Sequence, residues 1–276
     1  MNVLLEPRLD RLSALLSQFS LSVRVEFAGP LDQAWTLTQK PGLGGFYILR
    51  SGTVHLDRRQ TVLAPALILI PRPGRHLLHA VAGETVHLVG GTLDFGPTDL
   101  NPIIAALPSP AVIPLDKTLE ATLNLLEHEA VAPRCGAQAV IDRACEILLI
   151  QALRHLIASQ GMQTGVLGGL ADPKLARALT AIHADPAHPW TLLELARLSG
   201  MSRTAFAMGF HHRVGRTVGD YLGWWRASLA KRLLEQGQTL KIVAGAVGYE
   251  SAPALARQMR RTLGLGPRDI RRQMKD

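Results

Sequence analysis

The last third of this chain holds the feature that most restricts its fold: a pattern that occurs twice. Thr191, Ala196 and Gly200 recur 48 residues on as Thr239, Ala244 and Gly248. Ser202, Phe206, Phe210, Gly215 and Tyr221 recur 49 residues on as Ser251, Leu255, Met259, Gly264 and Ile270. The slip of one residue falls in a turn, where an insertion disturbs least. A period of this length can build a solenoid, but two copies are too few to stack a continuous core. A paired module fits better.

In the first copy Thr191 and Glu194 have capping-box spacing. Leu192, Leu195, Ala196 and Leu198 supply an apolar face, and Gly200 ends the helix in a left-handed turn. Ser202 caps a second helix, whose Phe206 and Phe210, four apart, face inward. Its candidate DNA contacts are Ser202, Arg203, Thr204, Ala207 and His211. Helix, glycine turn, helix is the helix-turn-helix layout, whose second helix enters the major groove. A generic helical hairpin is the alternative reading of one copy, and the second copy weighs against it. There the turn is GYES, and Pro253 is tolerated because first-turn amides lack helical partners. Ser251, Ala252, Pro253, Arg257, Arg260 and Arg261 are the matching contacts, the arginines suited to phosphates. Between the copies, residues 218–237 read as one helix with Tyr221, Leu222, Trp225, Leu229 and Leu233 on one side. A helix of that size, about 25 Å long, can space two recognition helices for successive major grooves. Trp224 and Trp225 read as packing residues rather than base-stacking ones.

Charge agrees. The net charge is +8, yet from residue 171 onward there are 17 Lys and Arg against 8 Asp and Glu, which is +9 and leaves −1 for the rest. That asymmetry suggests a polyanion partner for the C-terminal part alone.

Upstream the pattern changes. Between residues 21 and 95, FYILRSG, TVHLDR, ALILIP and TVHLVGGTLDF are short apolar runs broken by Gly and Pro, as in a β-barrel or sandwich. Residues 8–18 read as a short amphipathic helix, and residues 98–160 turn helical through Leu119, Leu123, Leu126, Ile141, Leu148, Ala152 and Leu156. The glycine-rich stretch 161–173 reads as a linker. The expected organisation is a domain over 1–160, a linker over 161–173 and an all-α domain over 174–276. With 47% hydrophobic and 19% charged residues the chain is globular rather than disordered. It has no apolar run long enough for a membrane span and no secretory pattern, and Cys135 and Cys145 are expected as two reduced thiols in a cytoplasmic protein.

The segments WTLLELARLSGMSRTAFAMGFHHRVG and AGAVGYESAPALARQMRRTLGLGPRDIRR resemble the double-motif DNA-binding domain of the AraC/XylS family over about residues 172–273. DRLSALL, FAGPLDQAW and ALILIPRPGRH are similar to the cupin-type sensor of one branch of that family. The implied fold is α+β: a cupin-like β-barrel with helices, then two helix-turn-helix motifs joined by a long helix. Departures stand at Leu255 and Met259, where Phe is usual, at Ile270 for Tyr, at Ile242 for the capping acid, and at Met208 and Gly209, often arginines. The first motif is therefore expected to read more of the sequence, and the second to grip the backbone.

The resemblance implies a transcriptional regulator that binds promoter DNA as a homodimer, with RNA polymerase as a further partner and a barrel that binds an unidentified small effector or mediates oligomerisation. Trp35, Tyr47, His55, His76 and His87 are the candidate effector contacts. His76 matches the later His of a cupin metal set, but His55 has no His-x-His partner, so a metal-free pocket is expected over a metal at His76. No catalytic constellation emerges. A metal-dependent cupin enzyme with an appended DNA-binding tail is the competing reading.

Overall fold

The computed structural model describes residues 10–16, 22–31, 35–38, 43–72, 74–94, 101–159 and 164–273. These form two compact units, one spanning Ser20–Met162, the other joining Met1–Phe19 to Gln163–Asp276.

The first unit is the expected β-structure with its helices. Among the described residues nine antiparallel strands run β1 (Ser22–Leu31), β2 (Trp35–Thr38), β3 (Gly44–Ser51), β4 (Thr53–Leu56), β5 (Gln60–Leu63), β6 (Ala66–Ile70), β7 (Arg75–Ala80), β8 (Val86–Asp94) and β9 (Ala111–Pro114). They make a five-stranded sheet in the order β1-β8-β3-β6-β9 and a four-stranded sheet in the order β2-β7-β4-β5. Period-two alternation sends Tyr47, Leu49, Ile68, Ile70 and Leu88 of the larger sheet into one core with Val54, Leu56, Val62 and Leu78 of the smaller. The other face of the larger sheet, with Phe46, Ile48, Leu67 and Val89, is buried too. Helices α3 (Lys117–Val131) and α4 (Ala137–Ala158) pack on each other and against β1, through Leu119, Leu123, Leu126, Ile141 and Leu148. A short helix, α2 (Pro102–Ala106), precedes β9. A sheet buried on both faces reads as a continuous apolar run, which is why ALILIP gave no alternation.

The second unit opens with α1 (Ser13–Leu16), within the stretch read as amphipathic helix. Arg11 Nη1 donates to Leu170 O at 3.0 Å, so this segment groups with the C-terminal helices rather than with the barrel. Residues 164–171 are not a linker as expected. Gly165–Ala171 is a helix, α5, with Val166, Leu167 and Leu170 buried. Gly169 is there for contact, since a Cβ on it would sit 2.6 Å from Leu179 Cδ1, and Gly165 opens the helix at φ +80°. Helix α6 (Pro173–Ala184) follows, capped by Asp172, which accepts from the amides of Lys174 and Leu175. Then come α7 (Leu192–Leu198), α8 (Arg203–Val214), α9 (Val218–Glu235), α10 (Leu240–Ala246), α11 (Ala252–Leu263) and α12 (Pro267–Gln273). Among the described residues this unit holds no strand, as the sequence predicts.

The β1–β8 pairing has no space to spare. Its register shifts between Val25 and Phe27, and a Cβ on Gly91 would lie 1.9 Å from Arg24 O. That neighbour is backbone and cannot swing away. Gly91→Ala is therefore expected to cost about 1–3 kcal/mol of stability by overpacking, read from the denaturation midpoint of the full chain. An unchanged midpoint would contradict the register.

Candidate nucleic-acid interface

The two copies fold alike to the level of single hydrogen bonds. In the first turn Met201 N donates to Ala196 O at 2.9 Å, and Gly200 stands at φ +62°. In the second Tyr249 N donates to Ala244 O at 2.8 Å, and Gly248 stands at φ +80°. Ser202 and Ser251 both cap the following helix, accepting at 3.3 Å from the amides of Ala205 and Ala254. Gly215 and Gly264 end those helices at φ +79° and +68°. The repeat is thus a repeat of turns and caps, the positions where few residues serve.

The first turns differ. Thr191 accepts from Glu194 N at 3.2 Å, and the Glu194 carboxylate meets His188 Nε2 at 2.9 Å. At Thr239 there is no side-chain cap bond, and Ile242, in the place of the acid, is 62% exposed.

Helix α9 carries both motifs. Tyr221, Trp224, Trp225, Ala227 and Ala230 are buried along it, so the tryptophans pack inside as expected. Phe206 and Phe210 of α8 stack with each other, and Phe210 meets Tyr221 edge-on at 5.6 Å. Leu255 and Met259 of α11 are fully buried against Ala227, Leu234, Val243 and Ile270. The exchanges from aromatic residues therefore keep a closed core.

Two features were not anticipated. Arg226, half-buried on α9, ties the segment before the first motif to the turn of the second: Nε donates to Pro186 O at 2.7 Å, Nη2 to His188 O at 2.8 Å and Nη1 to Gly248 O at 3.4 Å. Its guanidinium also lies 5.6 Å from the Tyr249 ring centre. At the same place the backbones touch: a Cβ on Gly248 would be 2.6 Å from Ala187 O. The loop before the first motif is thereby fastened to the turn of the second. No periodicity signals this, because the partners are carbonyls. The second feature is His183 of α6, buried, with Nε2 2.6 Å from the Tyr221 hydroxyl and its ring 4.5 Å from that of Trp225. Burial pushes its pKa down to about 3.

The candidate contacts fall on the outer surface. Ser202, Arg203, Thr204 and His211 of the first copy are exposed, with Ala207 half-buried. Ser251, Pro253, Arg257, Arg260 and Arg261 of the second are exposed, with Ala252 half-buried. Arg261 is steadied by Gln258 Oε1 at 2.7 Å. Met208, noted in the sequence only as a departure, is 69% exposed, and Arg268, Arg271 and Arg272, which sequence reasoning did not single out, are exposed on α12.

Of the barrel candidates, Tyr47 and His76 stand on the inward face of their strands while His55 and His87 are exposed, so these four are not gathered in one place. Tyr47 is buried among the residues of the intersheet core. His76 lies on the face of Leu78, its Nδ1 2.7 Å from Asp57 Oδ2. Burial raises the Asp57 pKa, but the bonds from His76 and the Leu77 amide outweigh it and hold the carboxyl below its usual value. His55 alternates outward between Val54 and Leu56 and meets Thr61 Oγ1 at 3.1 Å. His87 is exposed on the far side of the larger sheet, beside a groove of about 360 Å³ lined by Ala28, Arg50, Val89, Glu127 and Val131. Arg50 is already engaged there by Glu127 at 2.9 Å and Asn124 at 2.6 Å. Trp35 pairs in register with Leu78, and its side chain lies outside the described set. Among the described residues no three potential metal ligands cluster. Cys145 is buried, its thiol pushed up to about 12 by burial and then by Asp142, and Cys135 is exposed.

Two outcomes follow. Removing the Arg226 guanidinium leaves three carbonyls unsatisfied, so Arg226→Ala should lower the stability of this unit by about 2 kcal/mol, read from tryptophan fluorescence in denaturant. His183 stays neutral in the fold, while the unfolded imidazole takes a proton near pH 6.5. Its contribution is therefore full above that pH and falls away on acidification, by about 2 kcal/mol at pH 5. His183→Gln should flatten this slope.

Residues 10–158 match the family described as Cupin, and residues 195–273 match the family described as Helix-turn-helix domain. The chain is 33% identical over 238 residues to an AraC-like transcription regulator of Streptomyces lividans, covering 83% of this chain and 78% of that one. It is 35% identical over 202 residues to an AraC-like transcription regulator of Streptomyces antibioticus, covering 71% and 67%. An HTH-type transcriptional regulator of Haemophilus influenzae is 27% identical over 297 residues, covering 96% and 98%.

Proposed function

The chain belongs to the AraC-like transcription regulators, a cupin segment preceding its DNA-binding helix-turn-helix domain, and on that premise we propose that α8 and α11 enter successive major grooves of a promoter with unequal tasks. The observation that carries this reading is the repeated turn geometry, with exposed Arg203, Thr204 and His211 on α8 and exposed Arg257, Arg260 and Arg261 on α11. Arginine and threonine at the start of α8 can donate to base edges, whereas Ala252 and Pro253 at the start of α11 offer no side-chain hydrogen bond. The first motif reads bases, and the second holds phosphates.

The barrel unit is the regulatory half. It binds a small effector, and the groove of about 360 Å³ beside His87 is one opening for it that contains a sequence candidate. The chain acts as a cytoplasmic homodimer, with RNA polymerase as its partner in transcription. That its relatives are transcription regulators favours this reading over a metal-dependent enzyme.

Selection from random duplexes with the full chain tests the reading: a recurrent two-part site is expected, and recovery of unrelated sequences would overturn it. On that site Arg203→Ala should lose about 1–3 kcal/mol, but little on random DNA. Equal loss on both would assign Arg203 to phosphate. Arg260→Ala should weaken both alike and reduce the salt slope by about 1, and an unchanged slope would remove it from the contact set.

A further inference from the structure

We infer that Met208 reads the C5-methyl group of a thymine in the half-site bound by α8. The inference rests on the proposal that α8 lies in the major groove.

Three residues fix the orientation of this helix. Phe206, Phe210 and Val214 are buried and define its inward face. At 100° per residue Met208 stands opposite the mean direction of those three. It is 69% exposed, among the most exposed of the large apolar residues in the described chain. Thr204, four residues before, and His211, three residues after, are exposed on the same stripe. Met208 is thus the centre of the outward face, with a hydrogen-bonding side chain on each flank. Its chain neighbour adds room: a Cβ on Gly209 would meet only Met201 Cε, at 3.7 Å.

The chemistry then selects the partner. A thioether offers no useful donor and a weak acceptor, but it is soft, polarisable and adaptable. In the major groove the exposed edges of guanine, adenine and cytosine present donors and acceptors, while thymine alone adds an apolar group, its methyl. An apolar side chain at the centre of the reading face therefore favours thymine and leaves a polar edge unsatisfied elsewhere. In the second copy the corresponding position is Arg257, whose natural targets are phosphate or guanine. The two half-sites accordingly differ at this position.

The test uses the full chain and the duplex recovered by selection. Each thymine of the α8 half is replaced in turn by deoxyuridine, which lacks only the methyl, and affinity is measured at fixed salt. One replacement should weaken the wild type about three- to fourfold, the worth of one buried methyl. Met208→Ala should bind the thymine and deoxyuridine duplexes equally, and Met208→Leu should keep the preference. Both variants leave the core untouched. A wild type indifferent to every replacement overturns the inference while specific binding itself persists. So does a Met208→Ala chain that still discriminates. If Met208→Ala binds DNA like the wild type but fails in transcription in vitro, the side chain docks a protein, and the inference is wrong. Failure to recover any specific duplex overturns the major-groove reading and this inference with it.

Discussion

The DNA-binding unit depends on a clamp made by one cation. Arg226 donates to carbonyls that precede and follow α9 in sequence, those of Pro186 and His188 before the first motif and that of Gly248 in the turn of the second. Helix α9 alone, 18 residues long, would leave its two loads free to rock about its ends. The guanidinium, with the close approach of Gly248 to Ala187, joins them as well through their loops. On the proposed reading, two recognition helices joined in this way fit one separation of grooves.

The two copies have diverged where reading matters and not where folding matters. The glycine turns, the serine caps of the second helices and the inward positions agree, even with Leu255 and Met259 in place of the phenylalanines. The outward positions do not agree: Arg203, Thr204 and Met208 correspond to Ala252, Pro253 and Arg257. Folding constrains shape and hydrogen bonding at a few sites, and the surface is left to the ligand. The weakened first turn of the second motif, with Thr239 uncapped and Ile242 exposed, fits a copy that carries less of the specificity.

Much of this was legible in the sequence. The repeat gave the helix-turn-helix pair because glycine turns and serine caps tolerate few substitutes. Short apolar runs gave the β-structure. The stretch around Gly165 was misread because glycine signals both flexibility and close packing, and only the neighbours, here Leu179, decide between them. The barrel candidates scattered because alternation along a strand cannot be assigned a side until the sheet order is known. His55 and His87 turned outward while Tyr47 turned in. Arg226 was invisible because its partners are backbone atoms, which no residue pattern records.

The central claim is that two unequal motifs, held at one separation, grip one face of a duplex. The most direct measurement is a hydroxyl-radical footprint of the full chain on its selected site. Two protected stretches are expected on the same face, about one helical turn apart, with the α8 stretch holding the bases most sensitive to substitution. A single protected stretch, or two on opposite faces, would contradict the account.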